Sequence, residues 1–257
     1  MSEPTPAAGS GADSGLGGPV LYDDPVFFAR YQDLRVAGDG LNEDLEQPAL
    51  TARLTGVRGA SVLELGCGDG ALARRLAGAG AREVVAVDAS ARMLALAETH
   101  PRVRYMRADI EALDRPAGSA DLVVSSLALH YVRDYAGLIR RIASWLRPAG
   151  RLVFSVEHPV CTAHRPMTGW LLTAGASVWP VDHYAEETAR TQEWLGRTVV
   201  KHHRRLTTLA GEILAAGLTL TGLDEPQPGA EAIARRPALA QHRRRPPLLV
   251  VAARKPL

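Results

Sequence analysis

The chain has 257 residues, of which 46% are hydrophobic and 23% are charged, and its formal net charge is +2. This composition supports a sizeable folded core and excludes a wholly disordered chain. The total charge does not indicate a nucleic-acid-binding face, and no apolar run approaches the ~20 residues of a membrane-spanning helix. We therefore expect neither nucleic-acid nor membrane partners.

The N-terminal sequence predicts a tail rather than a targeting segment. Residues 1–19 are rich in Gly, Pro, Ser and Ala, which predicts disorder, and they lack the basic and apolar regions of a secretory signal. Two cysteines, Cys67 and Cys161, make no disulfide framework, so a reducing cytoplasm is the expected compartment. A single domain is predicted over residues 20–257.

Two helices are predicted before the first strand. Phe27, Tyr31 and Leu34 recur at helical spacing, and a second amphipathic pattern covers residues 41–54. Helices in this position, here residues 20–55, either form a lid over the domain or cap the edge of its sheet. Both alternatives stay open at this point.

Strands and helices then alternate. Apolar runs predict strands at 62–65, 83–88, 103–106, 121–126, 151–156, 218–223 and 248–252. Helical patterns are predicted at 71–77, 91–98, 135–146 and 206–216. This alternation predicts an α/β fold with a doubly wound, mostly parallel, seven-stranded sheet.

Residues 157–205 interrupt the alternation. They contain three of the four tryptophans and five of the eight histidines, and they are too long for a simple connection. We expect this insert to build a substrate pocket. A small satellite core is the alternative.

A glycine-rich turn follows the first predicted strand. Gly66, Gly68 and Gly70 stand at alternate positions before a helix, so the backbone can turn sharply and a ligand can approach it closely. The pattern predicts a nucleotide-type cofactor site. It also satisfies the dinucleotide fingerprint, and glycine turns of this kind also end strands for structural reasons alone.

The predicted ligand-binding residues follow the strands, because ligands of doubly wound sheets bind at the carboxyl ends of the strands. Asp88 ends the second strand and can accept hydrogen bonds from two ribose hydroxyls. Asp109 follows the third strand and can accept from the exocyclic amine of adenine. Ser125 and Ser126 follow the fourth strand.

Taken together, these motifs resemble the class I S-adenosylmethionine-dependent methyltransferases. The matching stretches are residues 62–70, 87–90, 108–110, 121–132 and 146–152, in the order and spacing of that family. One departure is Ala149, which replaces the first glycine of the usual Pro-Gly-Gly turn. The resemblance implies a Rossmann-like methyltransferase fold with an antiparallel last strand and S-adenosylmethionine as cofactor, which weakens the dinucleotide interpretation.

The resemblance also implies roles for single residues. Glu64 and Gly66 would contact the amino-acid part of the cofactor, and Tyr31 would close over its carboxylate. Ala89 and Met93 would flank the adenine. The complete set of predicted cofactor-binding residues is Tyr31, Glu64, Gly66, Cys67, Gly68, Asp88, Ala89, Met93, Asp109, Ile110 and Ser125, with Ser126 as the alternative to Ser125.

The acceptor of the methyl group requires a positioned nucleophile and, for many acceptors, a base. His158, just after the fifth predicted strand, is the first candidate for the base, and His130 is the second. Glu157 would orient His158 or hold a substrate amine. Each histidine could instead be a hydrogen-bonded structural residue, and no metal site is expected.

The insert supplies the remaining substrate-binding candidates. Trp170, Trp179, Tyr184 and Trp194 would wall an apolar pocket, and His203 lies in a Lys-His-His-Arg stretch that resembles small-molecule methyltransferases of bacterial type. The preferred function is therefore methyl transfer to an oxygen, nitrogen or carbon nucleophile of a small molecule. The alternatives are an RNA or protein methyltransferase and a non-catalytic cofactor-binding module.

Overall fold

The structure is a computed structural model that describes residues 15–38 and 40–257. Eleven strands lie in these ranges: β1 (Ser61–Leu65), β2 (Glu83–Asp88), β3 (Val103–Arg107), β4 (Ala120–Ser125), β5 (Leu146–Glu157), β6 (Leu171–Thr173), β7 (Ala176–Val178), β8 (Ala189–Trp194), β9 (Arg197–His202), β10 (Thr219–Asp224) and β11 (Leu248–Arg254). The helices described there are α1 (Gly18–Leu21), α2 (Pro25–Ala37), α3 (Gln47–Arg53), α4 (Ala71–Gly78), α5 (Ala91–Ala95), α6 (Tyr135–Trp145), α7 (Pro159–Thr162), α8 (Leu206–Ala215) and α9 (Ala230–Arg235). A π-helical turn (Asn42–Glu46) and two 3₁₀ turns (Leu129–Tyr131 and Pro237–Arg243) complete the set.

The main sheet has the strand order β10-β11-β5-β4-β1-β2-β3. Strands β1 to β5 pair in parallel, whereas β11 runs antiparallel to both β5 and β10. The predicted fold class is therefore confirmed, including the antiparallel last strand. Strands β1 and β4 stand next to each other, with β2 and β5 outside them, so their carboxyl ends form a crevice where the strand order reverses.

The sheet is covered by helices on both faces, which explains why its strands read as continuous apolar runs. On one face α6 packs Ile139, Ile142 and Trp145 against the sheet. On the other face α3 and α4 contribute Leu50 and Leu72. These two layers hold the strand ends at the crevice in place.

Three predicted elements differ from the structure by more than two residues or by a division of the element. The helix predicted over 41–54 is divided into the π-helical turn and α3, and Pro48 stands in the first turn of α3, where a missing N–H costs no hydrogen bond. Helix α5 ends at Ala95, earlier than predicted. Strand β5 begins at Leu146, because Leu146 already pairs with Ala120, ahead of an irregularity in the register and of the left-handed residue Ala149, whose φ is 60°.

The predicted tail falls largely on residues 1–14, which lie outside the described residues. Its remaining part is not tail-like, because Leu16 bridges to Val199: the Leu16 amide donates to Thr198 O at 2.8 Å, and Val200 N donates to Leu16 O at 3.0 Å. Ordered structure thus begins before the predicted boundary at residue 20.

The insert at residues 157–205 contains α7 and two antiparallel hairpins, β6–β7 and β8–β9. Hairpin β8–β9 receives the bridge from Leu16, so the N-terminal segment and the insert meet on the same side of the domain. Throughout the described ranges, the helices are too short or too polar to span a bilayer.

Candidate active site

The glycine turn after β1 forms the floor of a cavity of about 490 Å³ at the carboxyl ends of the parallel strands. Gly66 and Gly68 have φ angles of 72° and 55°, in the left-handed region that favours glycine. A Cβ on Gly66 would lie 2.4 Å from the Cβ of Ala128. The turn is held to the sheet because Gly66 N donates to Val87 O at 2.8 Å. Backbone therefore faces the cavity, with little side chain to obstruct a ligand.

Asp88 lies beside this turn, at the end of β2. Its Oδ2 accepts from Gly68 N and its Oδ1 from Ser90 N, both at 2.8 Å. These bonds orient the carboxyl group, and each oxygen keeps a further lone pair for a ligand. Burial raises the pKa of Asp88 despite the two backbone donors. The arrangement suits a ligand that offers two adjacent hydroxyl groups.

Glu64 is the most unusual residue of the cavity wall. Its side chain is 1% exposed, and its Oε2 finds no hydrogen-bond partner in the part of the chain that the structure describes. Burial, followed by the charges of Asp69 and Asp88, raises the pKa of Glu64 to about 8. A cationic group of a ligand would relieve this environment, so Glu64 fits the ammonium group of an amino-acid moiety.

The other predicted cofactor-binding residues lie around the same cavity, with one exception. The predicted residues that line it are Tyr31, Glu64, Gly66, Cys67, Gly68, Asp88, Ala89, Met93, Asp109 and Ile110. At the third strand, Asp109 Oδ1 accepts from Glu111 N at 2.9 Å, which leaves Oδ2 for a ligand. Burial raises the pKa of the Cys67 thiol, so this residue contributes a small, uncharged wall.

Ser125 is the exception. It is fully buried, and its Oγ donates to Leu65 O at 2.8 Å. Successive side chains of a strand point to opposite sides, so the next residue, Ser126, takes the place at the cavity. Ser126 Oγ donates to Glu46, a fully buried residue of the π-helical turn that also accepts from Ser155 at 2.6 Å.

The N-terminal helices reach over the cavity. Tyr31 and Arg35 line it from α2, and Gln47 lines it from the start of α3. Gln47 is held between two partners, because it donates to Glu46 and accepts from Arg75. Arg35 and Gln47 were not predicted as site residues, since neither lies in a recognised motif. The spacing of Tyr31 and Arg35 on one helix was the available signal.

Another part of the cavity wall is formed by His130, Glu157 and residues from hairpin β8–β9, and we call it the acceptor end because the candidate acceptor-binding residues meet there. His130 follows β4, and burial lowers its pKa to about 4, so the ring is neutral at pH 7. Its Nδ1 accepts from Glu157 N at 3.5 Å, which is a long hydrogen bond. Sequence reasoning missed Gln192 and Lys201 of this hairpin, as well as Tyr22 and Tyr131, whereas Trp194 was among the predicted pocket aromatics.

His158, the first candidate for the base, lies outside this cavity. It is 4% exposed, its Nδ1 accepts from Val160 N at 3.2 Å, and its Nε2 pairs with Glu225 at 2.9 Å. Burial lowers its pKa, although Glu225 opposes this effect. Both ring nitrogens are thus engaged in capping α7 and in joining it to the strand end at Glu225.

Four predicted substrate-binding residues also lie away from the cavity. Trp170 and Trp179 pack edge to face at 5.4 Å, and the Arg245 guanidinium lies 3.7 Å from the Trp179 ring centroid. His203 bonds to Thr162 at 2.7 Å and to Tyr184 O at 3.0 Å. The Arg245 contact joins the insert to the C-terminal part of the domain, and the other contacts join parts of the insert to one another.

Apart from Glu157, the insert therefore lines the cavity with residues of β8 and β9 and not with those four predicted residues. In the described ranges, no cluster of three or more His, Cys, Asp or Glu residues is placed to hold a metal ion.

Comparison with known proteins finds a family model and solved structures that match this chain. The sequence model of a family described as a methyltransferase domain matches residues 62–150. A solved S-adenosylmethionine-dependent methyltransferase from Mesorhizobium loti is 41% identical with a TM-score of 0.77, and the match covers 84% of this chain and 100% of that one.

Two curated relatives differ in how much of the chain they share. An uncharacterized protein of Haemophilus influenzae is 30% identical over 91% of this chain and 96% of its own length. A malonyl-[acyl-carrier protein] O-methyltransferase of Enterobacter lignolyticus is 40% identical, but the match covers 42% of this chain and 43% of that enzyme. This chain thus spans less than half of the second relative.

Proposed function

The chain belongs to the S-adenosylmethionine-dependent methyltransferases, and on that premise we propose that it methylates an oxygen, nitrogen or carbon nucleophile of a small molecule. The cofactor is S-adenosylmethionine, which supplies an electrophilic methyl group on a sulfonium centre. The protein's task is then to hold the nucleophile in line with that methyl group and to exclude water.

One observation carries the proposed binding mode: Glu64, whose buried Oε2 has no hydrogen-bond partner among the described residues, and the oriented Asp88 carboxyl group line one cavity floored by bare glycine backbone. Asp88 would accept from the ribose hydroxyls, and Glu64 would pair with the ammonium group. Gly66 and Gly68 would let the amino-acid arm lie against the backbone.

The remaining walls complete the cofactor site in this proposal. Ala89 and Met93 would flank the adenine ring, and Asp109 with the Ile110 amide would meet its polar edge. Arg35 lines the cavity near Tyr31, whose surroundings include Asp69 and Asp88. We assign Arg35 and Tyr31 to the carboxylate of the cofactor.

A small acceptor is favoured because the acceptor end is walled on several sides. Gly18 and Tyr22 line it from the N-terminal segment, and Trp194 lines it from β8. His130 is neutral at pH 7 and would orient the acceptor rather than carry a charge. Since His158 lies outside the cavity, we do not assign it the role of base.

The proposal is tested by labelling. The enzyme is incubated with S-adenosylmethionine labelled in its methyl group and with a cell extract separated by size. Label in the fraction of small molecules, below about 1 kDa, is expected, because a cavity of 490 Å³ that also holds the cofactor leaves room for only a small acceptor or a small part of one. Label confined to RNA or protein would overturn the small-molecule assignment, and the Asp88→Ala variant serves as the background control.

A further inference from the structure

We propose that the acceptor is an aromatic molecule without a negative charge that presents an N–H or O–H group to Glu157, and that the cavity rejects carboxylate acceptors. This inference rests on the proposed function, because it concerns the acceptor end of the same cavity. It is carried by a buried ion pair, by the distribution of charge along the cavity wall and by the aromatic rings there.

The ion pair joins Glu157 at the end of β5 to Lys201 of β9. Lys201 is buried, and its Nζ donates to Glu157 Oε1 and, at 2.8 Å, to Gln192 Oε1. The same Nζ lies 5.3 Å from the ring centroid of Trp194. The ammonium group is thus committed to two oxygens and an aromatic face, so it is not offered to a ligand.

Glu157 retains one free acceptor position. Among residues 15–38 and 40–257, its buried Oε2 has no hydrogen-bond partner, and the residue lines the cavity. Burial by itself would raise the pKa of Glu157, but Lys201 and His130 hold it below the usual value. A buried, ionised oxygen without a donor is costly, and an acceptor molecule with an N–H or O–H group would satisfy it.

Charge along the cavity wall disfavours an anionic acceptor. The described acidic residues that line the cavity are Glu64, Asp69, Asp88, Asp109, Glu111 and Glu157. The lysine and arginine residues among that described lining are Arg35 and Lys201. Lys201 is already paired, and Arg35 acts on Tyr31 at the cofactor end. Arg245 acts on Glu157 but does not line the cavity, so no free cation of the described lining offsets the repulsion between Glu157 and a carboxylate.

Aromatic rings line the rest of this end. Tyr22 and Tyr131 meet edge to face with ring centroids 6.4 Å apart. Trp194 comes from hairpin β8–β9 and lies beside Lys201. All three line the cavity. A flat aromatic molecule can pack against such faces and edges, whereas a flexible aliphatic chain loses more conformational freedom there.

The test uses three probes that share one ring system: 2-naphthol, which donates a hydrogen bond, 2-methoxynaphthalene, which cannot, and 2-naphthoate, which is anionic. Dissociation constants are measured by NMR titration of protein saturated with S-adenosylhomocysteine. We expect 2-naphthol to bind about tenfold more tightly than 2-methoxynaphthalene and 2-naphthoate to bind most weakly. Equal binding of the three probes would overturn the inference.

The Glu157→Gln variant provides the decisive comparison. With Lys201 bonded to the amide oxygen, the amide nitrogen would occupy the free position and turn an acceptor into a donor. The preference for 2-naphthol over 2-methoxynaphthalene should then be lost or inverted. A preserved preference would overturn the role of Glu157. Glu225→Gln, an equivalent change at an exposed residue outside the cavity, should keep the wild-type preference.

The variant set separates this inference from the proposed function. If Glu157→Gln does not fold, the double variant Glu157→Leu/Lys201→Met removes both charges and the acceptor oxygens, and it too should lose the donor preference. Binding of S-adenosylhomocysteine is measured by calorimetry in every variant. If the cofactor binds and the three probes bind equally well, the acceptor assignment alone is contradicted. If the wild-type protein does not bind the cofactor, the proposed function itself is contradicted.

Discussion

The two ends of the cavity are built in different ways. In the proposed assignment, most of the cofactor end comes from residues between 64 and 110, at or near the carboxyl ends of β1, β2 and β3, and α2 adds Tyr31 and Arg35. The acceptor end is assembled from the N-terminal segment, the 3₁₀ turn after β4 and the hairpin β8–β9. The cofactor end therefore depends mainly on the common fold, whereas contacts between distant segments determine the acceptor end.

The difference is clearest in two glutamates. Glu64 and Glu157 each have a buried Oε2 without a partner in the described part of the chain. Glu64 lies near other acids, and its pKa is raised to about 8, whereas Lys201 holds the pKa of Glu157 below its usual value. The Glu64 carboxyl group can thus pair with a cation, whereas the Glu157 carboxyl group is already ionised and can accept a hydrogen bond from a donor.

The largest effect is expected at the cofactor end, for Asp88→Ala. Loss of a carboxylate that accepts hydrogen bonds from two hydroxyls should weaken binding of S-adenosylhomocysteine by about tenfold to a hundredfold. Titration calorimetry measures this. The control variant is Asp121→Asn, near the start of β4 and away from the cavity. It should leave the affinity within about twofold. Unchanged affinity in Asp88→Ala would remove Asp88 from the site.

Binding of the cofactor should release a proton from Glu64. Because its pKa of about 8 keeps it largely protonated at pH 7, pairing with an ammonium group should release up to about one proton per cofactor bound. Calorimetry in buffers of different ionisation enthalpy counts that proton. Glu64→Gln should abolish the buffer dependence and weaken binding about tenfold. A buffer-independent enthalpy in the wild type would contradict the raised pKa.

The same group should make the cofactor-free protein less stable as pH rises. The folded state holds the Glu64 proton up to about pH 8, while the unfolded chain loses it near the usual value, so more protons are bound in the folded state between these limits. The free energy of unfolding should therefore fall by about 1 kcal/mol per pH unit from pH 5 to 8. Urea denaturation measures this slope, which Glu64→Gln should flatten.

Two tryptophans of the insert provide a test position and a matched control for the acceptor end. Trp194 lines the cavity, whereas Trp170 packs against Trp179 outside it. Trp194→Ala should raise the KM for the acceptor about fivefold with little change in cofactor affinity, because it removes an aromatic wall. Trp170→Ala should change neither value by more than about twofold. Steady-state kinetics with the acceptor found by labelling decide this.

The smallest effect on turnover is expected for His158→Ala. This substitution removes the cap of α7 and the pair with Glu225, so the free energy of unfolding should fall by about 1 kcal/mol. Turnover under conditions where the variant remains folded should stay within about twofold of wild type. A loss of turnover by a hundredfold or more would return His158 to the role of base.

The cofactor end could be predicted from the sequence because its geometry is local. Gly66, Gly68 and Asp88 each follow an apolar run, and parallel strands bring their carboxyl ends together in any doubly wound sheet. The one displaced residue, Ser125, differs from its neighbour by a single step of strand alternation. Such an error is expected wherever the end of a strand is uncertain by one residue.

The acceptor end could be predicted only in part. Lys201 lies 44 residues from Glu157, and their pairing depends on how hairpin β8–β9 folds back. The same folding brings Trp194 to the cavity and leaves Trp170 outside. Periodicity within the insert carries no information about that placement. His158 was a reasonable candidate by position, but its neighbours Val160 and Glu225 engage both of its ring nitrogens.

The central claim is that S-adenosylmethionine lies across the ends of β1, β2 and β3 with its ribose on Asp88. A crystal structure with S-adenosylhomocysteine tests it most directly. The account predicts both ribose hydroxyls within hydrogen-bond distance of Asp88 and the ammonium group at Glu64 Oε2. A nucleoside bound elsewhere, or one whose ribose makes no contact with Asp88, would contradict it.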